Sequence, residues 1–274
     1  MSAAFGGLYY YLMAFRCRRK WDVTLRGFWI LTSVLLLTAC GGGGSAGPSS
    51  DPGPVVDETL GGLWFGTLTT DGLQGNQDLV GITTDDGRFR FISVDTLGQF
   101  IGTGQTSGND VTGSGNGYAP MGTTWGDGST VTPITVSATL HQRSSFSGTW
   151  GAGTGESGTF DFDYDADYEK TSSLALLVSV WTVYDDNLNP IVTFTIDAGG
   201  QFFGQNVNGC TSLGQISIID SRANVYDITS TISDCFIAGD YAGLGVLGDL
   251  ENPNDAFVFS VNNDVRAILL GLQR

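Results

Sequence analysis

Gly43-Gly44-Ser45-Ala46-Gly47 has the Gly-x-Ser-x-Gly spacing of a strained serine nucleophile. It sits in a run of Gly, Ser and Pro with no strand ahead of it, and such an elbow needs a strand–turn–helix to strain the serine. We discount it. Asp161, Asp163 and Asp165, continuing to Asp167, offer the several oxygens that a hard cation such as calcium wants. Against a metal site, Ala166 stands where a calcium loop has its turn glycine, and Ser172 where it has its bidentate glutamate. Carboxylates two apart on a straight strand also lie about 7 Å from each other, too far to share one ion. The run reads better as the outward face of a strand whose other face is Phe160, Phe162 and Tyr164. His141, the single histidine, could pair with Arg143 as acid and base; a solvated histidine at a strand end is the simpler reading. Trp64, Trp150, Trp181 and Phe202, together with Trp125, could line a ligand cavity or plug barrel ends as core, and both readings stay open. Acidic residues are too numerous for a glycosidase pair to be picked by spacing.

Charge narrows the classes. Asp and Glu number 28 against 12 Lys and Arg, for a net charge of −16. Nucleic acid is excluded as a partner, because its phosphates demand a basic surface. One histidine makes a His-rich metal centre or a His-based triad a poor expectation, so we expect no enzyme activity and no cofactor. Apolar content of 41% is enough for a buried core.

The elements that would position these residues are short strands separated by Gly, Asn and Asp, with no helical period. Leu63–Leu68 is the first, and Leu79–Thr84 and Arg88–Val94 flank a hairpin turn at Asp85-Asp86-Gly87. Phe89 and Phe91 share one face of the third strand while Arg88 and Arg90 share the other, a half-buried pattern. Alternation recurs at Ile134–Leu140 and Phe160–Tyr164, and further strands are expected from Ile191 to Leu272. The segment from Gly102 to Thr130 is Gly-rich and weakly apolar, and is expected to be a long loop or a strand with a flexible tip. Gly113-Ser114-Gly115 and Gly151-Ala152-Gly153-Thr154-Gly155 are read as turns, since no strand–helix unit follows to hold a phosphate. A faint repeat matches Trp64, the turn before Phe89, Gly148-Thr149-Trp150 and Phe160-Asp161-Phe162 with Trp181, the turn before Phe202, Gly239-Asp240-Tyr241 and Phe257-Val258-Phe259. The later matches lie closer together than the earlier ones, so the repeat needs an insertion in the first half. The expectation is all-β: an antiparallel barrel of eight to ten strands, or a barrel-like sandwich, over residues 60–274, with two duplicated meanders as one route to it. Seven basic residues face 27 acidic ones from position 40 onward, which disfavours an anionic ligand in favour of a neutral or cationic one.

The N-terminal stretch is an address. Arg16, Arg18, Arg19, Lys20 and Arg26 precede an apolar run, Phe28–Leu37, followed by Thr38-Ala39-Cys40. Ten helical residues rise about 15 Å, half a hydrocarbon core, so this is a secretory signal and not a spanning helix. Leu37-Thr38-Ala39-Cys40 resembles the lipobox of bacterial lipoproteins processed by signal peptidase II. That resemblance implies a signal over 1–39, with Met13 as a more conventional start, and a diacylglyceryl anchor on Cys40. It also implies a Gly/Ser/Pro tether over 40–59 and, with Gly41 after the Cys, the outer membrane, on its periplasmic side or at the surface. Cys17 then leaves with the signal and Cys40 is lipidated, so Cys210 and Cys235 remain as a pair for a disulfide in an oxidising compartment. Two buried free thiols are the alternative. Gly62-Leu63-Trp64 resembles the Gly-x-Trp element of lipocalins, where the Trp closes the barrel base. The second half, with Cys210, Gly214, Asn224-Val225-Tyr226-Asp227, Cys235, Gly239, Tyr241 and Gly243, resembles small-barrel outer-membrane lipoproteins of proteobacteria. The resemblance implies membrane attachment through the lipid and a non-enzymatic module contacting an envelope or surface protein through barrel loops. The alternative is lipocalin-like capture of a small apolar, neutral or cationic ligand inside the barrel; an enzyme ranks third.

Overall fold

Alternation of side chains sets the walls of the molecule. In Val131–His141, Ile134, Val136, Ala138 and Leu140 are buried while Thr135, Ser137 and Thr139 are exposed. A period of two with one apolar face bends naturally around a core. The computed structural model describes residues 58–185 and 187–274. Cys17, Cys40, the Ser45 spacing and most of the tether lie outside the described residues.

The first eight strands are β1 Gly62–Leu68, β2 Gln77–Thr83, β3 Arg88–Ser93, β4 Gln99–Ser107, β5 Asp110–Tyr118, β6 Val131–His141, β7 Ser145–Ala152 and β8 Ser157–Asp165. Each pairs antiparallel with the next, and β1 closes on β8 from Leu63↔Asp165 to Leu68↔Phe160. Two short 3-10 turns, Ala166–Glu169 and Leu174–Leu176, lead to the second eight. These are β9 Ser179–Tyr184, β10 Pro190–Ile196, β11 Gln201–Asn206, β12 Thr211–Ile218, β13 Tyr226–Ser233, β14 Gly239–Gly248, β15 Ala256–Asn262 and β16 Ala267–Gln273. They too form a closed antiparallel barrel, with β16 joined to β9 at Gln273↔Thr182. The eight-stranded antiparallel barrel is present, but the expectation of one barrel over residues 60–274 is corrected: each run of eight strands closes on itself, giving two.

Both interiors are filled. In the first barrel Trp64, Phe91, Phe146, Phe160 and Phe162 interlock, with ring centroids 5.1 Å apart for Phe91–Phe162 and 5.2 Å for Phe146–Phe160. Gly81 faces them, and a Cβ there would stand 3.1 Å from the Trp64 Cβ. An eight-stranded barrel has room for side chains or one small ligand, and here side chains take it. Trp181, Phe194, Phe202, Tyr226, Phe257 and Phe259 fill the second barrel in the same way.

Further sequence expectations need correction. Gly102–Thr130 is neither one long loop nor a single strand with a flexible tip: β4 and β5 form a hairpin paired from Gln99↔Tyr118 to Ser107↔Asp110, and only residues 119–130 connect strands as a loop. Gly113-Ser114-Gly115 accordingly lies within β5 and not in a turn. The repeat also changes. Trp64 and Trp181 sit on the first strands of their barrels, and Phe89 and Phe202 on the third. Trp150 on β7, however, corresponds to β15 and not to Tyr241 on β14, and Phe160 on β8 corresponds to β16. With strands aligned by position the first half still carries an insertion: the loop after β5, residues 119–130, is longer than its counterpart after β13, residues 234–238.

The barrels pack side by side. Leu63, Val80 and Ile82 on the outer wall of the first meet Leu244, Val246 and Val258 on that of the second. This explains the unbroken burial of β15 from Ala256 to Val261, one face inside its barrel and the other under the neighbour. It also revises Arg90, expected on the face of a half-buried strand opposite Phe89 and Phe91 and found 7% exposed. Its guanidinium donates to the Ser260 hydroxyl (3.0 Å), the Ala242 carbonyl (3.0 Å) and Asn262 Oδ1 (2.6 Å) across the interface. Arg88 pairs with Asp227 at 2.8 Å at the edge of the same contact.

Candidate functional site

Connections of the first barrel alternate between its two ends. At one end lie the chain entry, the turn at residues 84–87 and the link to the second barrel. Trp64 is fully buried near this end and donates from its indole N–H to the Thr83 hydroxyl at 2.9 Å. At the other end residues 69–76, 94–98, 119–130 and 153–156 stand around an open cup of about 520 Å³.

Aromatic rings line the cup. Phe100 and Trp150 are rooted in β4 and β7, with centroids 5.0 Å apart, and Trp125 reaches in from the loop after β5, 6.3 Å from Phe100. Both indole N–H groups are satisfied within the wall, Trp150 donating to the Thr69 carbonyl at 3.1 Å and Trp125 to the Gly117 carbonyl at 3.2 Å. The loop carrying Trp125 holds its own shape. Trp125 N donates to Ser129 O (2.8 Å), Gly128 N to Trp125 O (2.9 Å) and Ala119 N to Thr130 O (2.9 Å). A loop ordered before binding loses little entropy when it binds.

Each of the four loops contains one carboxylate, Asp71, Asp95, Asp127 or Glu156, and none contains Lys or Arg. These acids accept hydrogen bonds from neutral donors: Ser157 Oγ to Asp71 (2.6 Å), Asp78 N to Asp95 (2.6 Å), Ser129 N to Asp127 (2.8 Å) and Gly126 N to Glu156 (3.0 Å). Glu156 itself lines the cup. The neighbouring Thr154 hydroxyl, with the backbone N–H groups of Glu156 and Gly126, holds its carboxyl below the usual value, so it is ionised at neutral pH. At the closed end, by contrast, acids meet bases: Arg88–Asp86 at 3.2 Å, Arg143–Glu169 at 3.1 Å and Lys170–Asp167 at 3.1 Å.

The residues singled out in the sequence therefore part company. Trp150 and Trp125 line the cup. Trp64, Trp181 and Phe202 belong to the filled cores, Trp181 donating to the Leu177 carbonyl at 2.7 Å. Cys210 and Cys235 form a disulfide, their Cα atoms 5.2 Å apart, just beyond the terminal Thr211↔Ser233 pair of β12 and β13. Asp161 and Asp163 point outward on β8, while Asp165 is buried and accepts from the Asp167 N–H at 2.9 Å. Among the described residues no three His, Cys, Asp or Glu side chains gather as metal ligands. His141 contacts Asn109 at 3.2 Å and Arg143 pairs with Glu169, so these two do not form an acid–base couple. Phe100 and Glu156 escaped the sequence reading. The signal for Glu156, one acid and no base in every second connection, shows only after β4 and β5 are recognised as strands.

The described chain is thus a tandem of two filled barrels with one aromatic cup walled by loops. No protein-family model matches it, and no curated protein does.

Proposed function

We propose that this chain is a lipid-anchored bacterial envelope protein, carried on the outer membrane, that contacts another protein through the four loops around the cup of its first barrel. It acts without catalysis. The observation that carries this reading is the combination of filled barrel interiors with an open cup lined by Phe100, Trp125 and Trp150. A filled barrel has no internal room to capture a ligand in the lipocalin manner. Rigid aromatic groups in a loop-walled hollow are the usual anchors of protein contacts. The Cys210–Cys235 disulfide fits a chain exported to an oxidising compartment, as the Leu37-Thr38-Ala39-Cys40 resemblance implies. A second reading, a small apolar ligand, rests on the volume of the cup itself, which falls within the range of small-molecule sites.

Two experiments test it. Cells fed a tagged fatty acid should label the wild type and not Cys40→Ser; equal label in both ends the anchor reading. Met121, 46% exposed on the loop that carries Trp125, serves for the contact. Modification of Met121→Cys by a membrane-permeant maleimide should be slower in intact source cells than in the purified chain. Asn109→Cys, at the closed end, should react alike in both. Equal behaviour at the two positions would sink the contact reading.

A further inference from the structure

Sign and shape in the cup point to what enters it. Its lining is apolar and aromatic, with Leu68, Leu73, Phe100, Trp125 and Trp150 among its walls. The single ionisable group among the lining Asp, Glu, Lys and Arg side chains is the Glu156 carboxylate. Around the mouth stand Asp71, Asp95 and Asp127, all exposed, and no Lys or Arg occurs in any of the four loops. An aromatic hollow with negative charge at its rim attracts a cation that carries hydrocarbon. The ring quadrupoles favour the charge, the ring surface covers the methylenes, and the rim carboxylates steer the approach.

We infer that the cup receives a basic side chain, arginine or lysine, projected by the partner protein. The inference rests on the contact reading above and names the chemistry of that same contact. A guanidinium is the better fit, since it stacks on aromatic rings and is weakly hydrated. A partner of this kind is basic where it meets the loops. The chain's overall charge of −16 speeds its arrival, and salt slows it.

The test is calorimetric titration of the detergent-solubilised full chain. The probes are benzyltrimethylammonium, neutral N,N-dimethylbenzamide, anionic phenylacetate, and a short apolar peptide with one central Arg beside its norleucine counterpart. The Arg peptide should bind saturably, about tenfold more tightly than the norleucine peptide. Benzyltrimethylammonium should exceed the neutral amide by a similar factor, and phenylacetate should give no saturable heat. Glu156→Gln and Trp125→Leu should each weaken the Arg peptide severalfold. Asp110→Asn, at the closed end, should not, and unchanged melting curves would show that the variants fold.

Equal binding of the Arg and norleucine peptides, or binding of phenylacetate, overturns the inference. Binding of benzyltrimethylammonium without the Arg peptide also overturns it, and reassigns the cup to a free organic cation. The maleimide measurement at Met121→Cys is blind to charge. Protection there with no binding of any cation leaves the protein contact standing and removes only the basic side chain. Cation binding with no protection in cells removes the protein contact, and the partner's side chain with it, and leaves the cup to a free organic cation.

Discussion

Asp255 shows how a buried carboxylate earns its place by backbone partners. It is 4% exposed and accepts the N–H groups of Leu250 (2.6 Å), Glu251 (2.9 Å) and Asn252 (2.6 Å) in the turn between β14 and β15. Burial alone would push its carboxyl up; the three N–H groups outweigh burial and hold it below the usual range. A carboxyl depressed in the folded state stabilises above its unfolded pKa, and that stability is lost as pH falls through the folded value. Urea midpoints of the wild type should therefore drop on acidification below about pH 4. Asp255→Asn should cost about 2 kcal/mol at neutral pH and flatten that drop. Parallel acid slopes in the two proteins would contradict this account of the turn. At this scale the sequence was a mixed guide. The outward Asp161 and Asp163 were legible because alternation with Phe160 and Phe162 states which face is wet. Glu156 was not, because one acid among 28 carries no mark until its loop is placed beside three others.

Strand elements were legible wherever large apolar residues alternate, and illegible where glycine replaces them. Glycine has two uses here that look the same in a sequence. Some positions make turns; others let neighbouring strands of a tightly coiled barrel approach each other. Gly66 in β1 is of the second kind, since a Cβ there would stand 1.8 Å from the Asp161 carbonyl oxygen of β8. The β4–β5 hairpin was hidden for this reason, its glycines at 102, 104, 113, 115 and 117 reading as loop. Gly66→Ala is expected to cost about 3 kcal/mol, because it forces apart the β1–β8 seam that closes the barrel. Ser147→Ala, exposed on β7, should cost less than about 0.5 kcal/mol. Chemical denaturation of the two variants would check the contrast, and similar costs would mean that the close approach is not what holds the seam.

On the scale of the whole molecule, the second barrel braces the first beside its cup. Ser260 donates to Gln99 Oε1 at 2.5 Å and Asn262 Nδ2 to the Tyr118 hydroxyl at 2.9 Å, and both Gln99 and Tyr118 line the cup. Arg90 ties the same two residues of β15 to β3. Burial pushes its guanidinium down to about 10, which leaves it charged at neutral pH. Arg90→Ala should cost about 3 kcal/mol, since it leaves buried acceptors without their donor, whereas Arg90→Met, which fills the space with hydrocarbon, should cost less. Calorimetry would decide, and two neutral substitutions would mean that the polar contact does not set the interface. That two barrels stand where one was expected follows from closure. Eight short strands bury their inner face completely, and the continuous apolar runs of β14 and β15 then need a second surface to cover them. Local alternation reports neither the point of closure nor what lies outside.

The chain offers a competing surface, the outer wall of the second barrel, where Val180 and Leu213 are 55% and 61% exposed. Site-specific photo-crosslinking in the source cells separates the two most directly, with a benzoylphenylalanine placed in turn at Met121, Leu213 and Asn109. The loop-contact account expects one discrete adduct from Met121, diminished by Trp125→Leu in the same chain, and none from the other positions. An adduct from Leu213 with none from Met121 would contradict it.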